Sequence, residues 1–189
     1  MDLHEGLLET GNQYKGRAWL TVFLFTFGGF ANALILLSFA PIAGKAQDYW
    51  NTSATLVNLL AVSFQIMYIP GSTLLVRMMR GGDLRKVVLV AGILQTVGCG
   101  IRLGAAGINH VSGQETFSYA VMLIGTAVAA TAQPFYLNLP ANVASAWFGV
   151  KDRDIATTVC TLASPLGSAI GAVLPTLLVK GGTDDDPTT

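Results

Sequence analysis

The sequence predicts an all-α protein, a polytopic transmembrane helix bundle with about five spans, and two observations carry this prediction. Apolar residues make up 52% of the 189 residues and charged residues only 12%, whereas a soluble globular chain carries roughly 25% charged residues. The chain therefore has too few charges to cover a water-exposed surface. In addition, five apolar stretches are each long enough to cross about 30 Å of hydrocarbon.

The apolar stretches define one transmembrane domain, residues 18–179, between two polar ends. Residues 1–17 lack a signal-peptide pattern and are predicted to be a cytosolic segment, and residues 180–189 form a polar acidic tail. The fourth stretch is longer than a bilayer requires, so Pro134 and Pro140 are the expected bend points. The predicted spans are 19–41, 55–76, 87–108, 119–147 and 155–179.

The basic residues predict which side of the membrane each loop occupies. If the N-terminus is cytosolic, eight of the eleven basic residues fall on the cytosolic side, as the positive-inside rule requires. The opposite side then holds only Lys45, Arg102 and Lys180. Arg102 lies near the outer end of the third span, and its head is expected to extend to the membrane interface. The cytosolic set is Lys15, Arg17, Arg77, Arg80, Arg85, Lys86, Lys151 and Arg153.

Several function classes are disfavoured by what the sequence lacks. The formal net charge is zero and no basic patch stands out, so we expect no nucleic-acid partner. Nucleophile, zinc-protease and phosphate-loop motifs are absent, and no acidic or histidine cluster lies within a span, so we expect no enzyme. Cys99 and Cys160 both lie inside apolar runs, where packing is a better explanation than a metal site. No cofactor is predicted.

Uncharged polar residues inside the spans are the candidate functional groups. Asn32 lies in the first span, Asn58 and Gln65 lie seven residues apart on one face of the second, and Gln133 lies in the fourth. Polar side chains in hydrocarbon are costly and usually face the bundle interior. They could line a solute cavity, or they could form hydrogen bonds between helices.

The fifth span raises the same pair of alternatives. Threonine and serine recur on one face of it at helical spacing, beside a pair of glycines four residues apart. The stripe could line a water-filled path or could support close helix contact. The stripe consists of Thr157, Thr161, Ser164 and Ser168, and the nearby glycines are Gly167 and Gly171.

Several motifs resemble the N-terminal half of a major facilitator superfamily transporter, and more narrowly the feline leukaemia virus subgroup C receptor family. The likeness covers roughly residues 14 to 179. Its most specific part is the Trp147-Phe148-Gly149 run with the preceding Leu139-Pro140. The other matching stretches are Arg17-Ala18-Trp19, Asn32-Ala33, Phe39-Ala40-Pro41-Ile42, Val57-Asn58, Tyr68-Ile69-Pro70, Gly98-Cys99-Gly100-Ile101-Arg102 and Ala132-Gln133-Pro134-Phe135.

The resemblance implies a facilitator that moves a small organic solute, either a choline-like cation or a haem-related compound. It implies that Gln133 is a substrate ligand. Together with Gln133, we expect the span amides Asn32, Asn58 and Gln65 to line the cavity. The first-helix tryptophan of the choline carriers corresponds to Leu36, which removes a cation–π partner. In the cytosolic loop, Asp83, Arg85 and Lys86 match a conformational latch in which the acidic position is shifted.

A complete member of the superfamily has two halves of six spans, built from three-helix repeats. The resemblance therefore implies a lipid bilayer, a small organic solute and a second transporter half as partners. The predicted location is multi-pass, in the plasma membrane or an organelle membrane. The alternative is a truncated or non-transporting membrane protein that acts through a partner subunit.

Overall fold

The computed structural model describes residues 3–112 and 115–180, and it describes side chains within 16–108 and 115–178. No strand occurs in these ranges, and the all-α prediction is confirmed. Most of the predicted acidic tail lies outside the described residues. The helices are α1 (Leu3–Leu37), a 3-10 turn (Ala40–Ile42), α2 (Ala43–Trp50), α3 (Ala54–Met79), α4 (Leu84–Ser112), α5 (Glu115–Thr131), α6 (Gln133–Asn138), α7 (Pro140–Trp147) and α8 (Val150–Lys180).

Five segments of the described chain are long and apolar enough to cross a membrane, which confirms a polytopic bundle. The first combines the membrane part of α1 with the 3-10 turn and α2. The fourth combines α5 with α6. The five segments are Gly16–Trp50, Ala54–Met79, Leu84–Ile108, Glu115–Asn138 and Val150–Leu178.

The fourth span is interrupted near both of the prolines that the sequence marks as bend points. Ala132 separates α5 from α6, and Pro134 lies in the first turn of α6. Leu139 separates α6 from α7, which begins at Pro140. Leu139 has φ −97° and ψ −8°, away from ideal helical values near −63° and −42°. Proline lacks an N–H donor and its ring crowds the preceding turn, so the helix is broken into short pieces.

Glycines set the closest helix contact, which joins α1 to α8. A Cβ added to Gly167 would overlap the carbonyl of Phe30, and one added to Gly171 would lie 2.6 Å from the carbonyl oxygen of Leu34. Small residues in a GxxxG spacing let two membrane helices approach to backbone distance. The two glycines of α8 therefore do what their spacing predicts.

Two buried clusters hold the bundle together. The larger surrounds Phe25, Phe135 and Leu139, where α1 meets α6 and α7. The smaller surrounds Trp50 and Leu60 at the end of the bundle that carries α2. Large apolar side chains elsewhere point outward, as lipid-facing residues do in a membrane bundle. The most exposed within the spans include Phe23, Ile69 and Leu103.

Candidate functional site

Asn32 lies in a buried polar node between three helices. Its Nδ2 donates to Oε1 of Gln95 on α4 at 2.7 Å and to the backbone oxygen of Ala129 on α5 at 3.0 Å. The side chain is only 2% exposed. Gln95 in turn donates from Nε2 towards the Cys99 sulfur at 3.9 Å. In this structure Asn32 forms hydrogen bonds that link α1, α4 and α5. Of the two roles that the sequence allowed, this is hydrogen bonding between helices.

Asn58 and Gln65 lie along one exposed edge of α3. Each follows a buried residue by one position, Val57 and Phe64 respectively, and is therefore displaced about 100° around the helix from the packed stripe. Both side chains are exposed, and within the described part of the chain neither makes a hydrogen bond. Their amides are available to water or to a ligand.

Gln133 is half-buried at the first position of α6. Its side chain makes no hydrogen bond to any described residue. At the other end of α6, Asn138 donates from Nδ2 to the hydroxyl of Tyr68 on α3 at 3.2 Å. The polar edge of α3 and the short helix α6 are therefore neighbours. The bond from Asn138 to Tyr68 was not predicted from the sequence.

The polar stripe of α8 flanks the α1 contact. Thr157 and Thr161 bond back to carbonyl oxygens of their own helix, at 2.9 Å to Arg153 and 3.1 Å to Thr157. Ser164 and Ser168 are half-buried. The close contact with α1 is made by glycines next to this stripe and not by its hydroxyls. The hydroxyl stripe is therefore compatible both with lining a water-filled path and with supporting helix contact.

Asp83, Arg85 and Lys86 are exposed and charged where the turn after α3 leads into the first turn of α4. The Lys86 ammonium lies 2.9 Å from Oδ2 of Asp83, and the backbone N–H of Lys86 faces Oδ1 of Asp83 at 3.5 Å. The hydrogen bond from Lys86 lowers the pKa of Asp83. Asp83 thus begins α4 as a capping residue, for which aspartate is preferred. Arg85 is exposed beside this pair.

The Arg102 side chain bonds to two hydroxyls of the bundle, a pairing that the sequence did not predict. Its guanidinium donates to Oγ1 of Thr126 at 2.8 Å and to Oγ of Ser38 at 3.2 Å. Each of these hydroxyls donates its own proton to a backbone carbonyl, Thr126 to that of Met122 and Ser38 to that of Ile35. They therefore present lone pairs to the arginine, and this is why the side chain turns into the bundle.

Among the described residues, no group of three or more histidine, cysteine, aspartate or glutamate side chains could hold a metal ion. In the described part of the chain, no hydrogen bond joins Asn32, Asn58, Gln65 and Gln133 to one another. Asn32 is enclosed between helices, whereas Asn58, Gln65 and Gln133 keep free amides at exposed or half-buried positions. All four residues carry an uncharged amide and lie within segments long and apolar enough to cross a membrane.

Comparison with known proteins gives consistent matches along almost the whole chain. The choline/ethanolamine transporter FLVCR2 of Rattus norvegicus is 25% identical over 170 residues, which cover 90% of this chain. FLVCR1 of Mus terricolor, also named a choline/ethanolamine transporter, is 26% identical over 171 residues, again 90% of this chain. Solute carrier family 49 member A3 of Xenopus tropicalis is 29% identical over 172 residues, or 88% of this chain.

These similarities confirm the resemblance to the feline leukaemia virus subgroup C receptor family of the major facilitator superfamily. No family model matches the chain. The chain spans only about a third of the length of these relatives, between 29% and 35%.

Proposed function

We propose that this chain forms the N-terminal part of a major-facilitator-type transporter that moves a small organic solute by alternating access. The observation that carries the proposal is the set of three amides, Asn58, Gln65 and Gln133, that make no hydrogen bond within the described residues. An unsatisfied polar group facing lipid costs several kcal/mol, in the range of about 2–7. Such groups are expected to face a cavity, where water or a solute satisfies them.

The missing wall of that cavity would come from a second transporter half. In the superfamily, substrate sites lie near the bilayer midplane between two repeats. The free amides are placed on α3 and α6, and Tyr68 and Asn138 join these two helices. We propose that this edge faces the second half, and that Asn32 supports the site by fixing α1 against α4 and α5.

The solute class follows from the relatives and from the chemistry of the amides. The relatives are named choline/ethanolamine transporters, and amide oxygens accept hydrogen bonds from hydroxyl and ammonium groups. The resemblance implies that Leu36 stands where the choline carriers have a tryptophan, so a quaternary ammonium would lack its aromatic partner. We therefore propose a preference for a small amino alcohol with N–H donors over its quaternary counterpart. A haem-related solute is a less favoured candidate.

The test is ligand binding by the full 189-residue chain in lipid nanodiscs, with ethanolamine and choline as probes. We expect saturable ethanolamine binding that Gln133→Ala weakens about tenfold, because one hydrogen bond to a charged group is lost. Asn142→Ala removes an exposed amide from α7 and is the matched control. Binding that is equal in the parent chain and the Gln133 variant would exclude Gln133 from the site.

Binding by the chain alone is demanding, since the second wall of the site is absent. A parallel measurement therefore co-expresses a relative's C-terminal half with this chain and repeats the titration. Binding only with the added half would support the two-half proposal. No binding of either probe in either format would favour a non-transporting membrane protein that acts through a partner subunit.

A further inference from the structure

The α2 segment covers one end of the bundle and has a break on each side. Pro41 lies in the 3-10 turn before it. Asn51 follows it with φ 45°, a left-handed conformation that asparagine tolerates better than most residues. We call residues 43–50 the flap. It is connected to α1 through residues 38–42, which include the 3-10 turn, and to α3 through residues 51–53.

One face of the flap packs on the bundle. Ala46 and Trp50 are buried, at 6% and 4% exposure. The indole Nε1 of Trp50 donates to Oγ of Ser118 at 3.3 Å, and that hydroxyl donates to the carbonyl of Ala105. The Trp50 ring also meets the Tyr119 ring edge to face, with centroids 5.9 Å apart. The opposite face, including Asp48, is exposed.

Arg102 reaches the flap through Phe39. Its guanidinium carbon lies 5.1 Å from the centroid of the Phe39 ring. Phe39 in turn meets Trp50 edge to face, with centroids 5.4 Å apart. A continuous series of contacts thus runs from α4 through Phe39 to the buried residue at the end of the flap.

Hydrogen bonds place the guanidinium over that ring. Thr126 on α5 and Ser38 at the end of α1 accept from its two terminal nitrogens. No carboxylate in the described part of the chain pairs with Arg102. A charged side chain within a membrane span is costly. Neutral acceptors and an aromatic face stabilise the charge but do not neutralise it.

We propose that the flap is a gate over this end of the bundle, and that Arg102 is the positioning residue that holds it closed through Phe39. The proposal rests on the proposed transport function, because alternating access requires each end of the cavity to open in turn. Opening would move Phe39 off the guanidinium and withdraw Trp50 from Ser118. Arg102 would stay bonded to Thr126 on its own side of the gap.

The experiment measures how often the buried face of the flap becomes exposed. The full chain carries Cys99→Ala and Cys160→Ala, and a single reporter is introduced by Ala46→Cys. The protein is placed in nanodiscs, where a hydrophilic maleimide reaches both membrane faces, and the labelling rate is recorded. A second reporter, Asp48→Cys on the exposed face of the flap, controls for the reactivity of the reagent.

Arg102→Gln is expected to raise the labelling rate at position 46 about tenfold, because two charge-assisted hydrogen bonds and the ring contact are lost. The rate at position 48 should stay unchanged. Arg77→Gln removes an exposed arginine at the end of α3 and should leave both rates unchanged. Ser38→Ala and Thr126→Val each remove one bond and should raise the position 46 rate by a few-fold.

An unchanged rate at position 46 in Arg102→Gln would overturn the gate proposal. If that variant fails to fold, the two single-bond variants decide, and unchanged rates in both overturn it equally. Ligand binding is measured separately on the same proteins. A raised labelling rate without binding of either probe would retain the gate and reject the proposed solute. Binding of a probe with an unchanged labelling rate at position 46 would retain the proposed solute and reject the gate.

Discussion

The amide of Asn32 lies 2.7 Å from the amide oxygen of Gln95, with both side chains buried between α1 and α4. The same Asn32 nitrogen also donates to the backbone of Ala129 on α5. One side chain of α1 therefore bonds to two neighbouring helices at once. This arrangement distinguishes Asn32 from the other amides predicted to line a cavity.

Removing the Asn32 side chain should destabilise the bundle. Asn32→Ala leaves the Gln95 oxygen without its donor in a buried position, at an expected cost of about 1–2 kcal/mol. Asn58→Ala removes an exposed amide that bonds to nothing in the described chain and should cost little. Thermal unfolding of both variants in the same nanodiscs provides the comparison. Equal midpoints for the two variants would contradict the structural role of Asn32.

A methyl group at Gly167 should separate α8 from α1. The added Cβ would overlap the Phe30 carbonyl, and backbone atoms cannot yield as a flexible side chain can. Overpacking of this kind costs about 1–3 kcal/mol. Gly104→Ala is the control, because a Cβ there meets nothing within 4 Å. We expect a lower midpoint of thermal unfolding for Gly167→Ala only, and a tolerated Gly167→Ala would mean that the two helices can move apart without cost.

Local sequence signals were sufficient for the five spans and the breaks of the fourth, but not for the short helix α2 or for the partners of polar residues. Apolar runs predicted five spans, two prolines predicted the interruptions of the fourth, and Gly167 with Gly171 predicted a close contact. These features depend on neighbours within one helix or on residue size. They need no knowledge of which helix lies opposite.

The bonding of Asn32 and Arg102 could not be predicted in the same way. The partners of Asn32 lie 63 and 97 residues away, and those of Arg102 lie 24 and 64 residues away. The sequence shows that a polar group is present at membrane depth, but the helix order around it decides whether it meets another helix or a cavity. Asn58, Gln65 and Gln133 as solute ligands therefore stay predictions.

Protonation of Asp83 should loosen the start of α4 at low pH. Lys86 holds the pKa of Asp83 below its ordinary value of 3.8. A carboxylate with a depressed pKa stabilises the fold fully above its unfolded pKa, and that stability is lost as pH falls through the folded value. Amide hydrogen exchange at residues 84–87 should therefore accelerate below about pH 4, the range in which an aspartate titrates.

Asp83→Asn is the matched variant for this pH dependence. It removes the titration and should make exchange at the start of α4 independent of pH, after correction for intrinsic rates. The pair is exposed, so its contribution to global stability is expected to be small. A pH response that persists in the asparagine variant would assign the effect to another group.

Placing an aromatic ring at position 36 should broaden the solutes that the proposed site accepts. Leu36 is half-buried on α1, one turn along the helix from Asn32, and leucine has no face that attracts a cation. Leu36→Trp supplies the ring that the resemblance implies for the choline carriers at this place, and a desolvated cation–π contact is worth about 2 kcal/mol. We expect choline affinity to rise roughly tenfold or more, with a smaller change for ethanolamine.

Two further variants at position 36 serve as controls. The choline affinity of Leu36→Phe should fall between those of the leucine and tryptophan proteins, because the phenylalanine ring attracts cations less strongly. Leu36→Met keeps the side-chain volume without a ring and should behave as the parent. Titration of all four proteins in the two-half format separates ring chemistry from side-chain size. A choline affinity that rises equally for methionine and tryptophan would place the effect in packing, and would remove position 36 from the solute site.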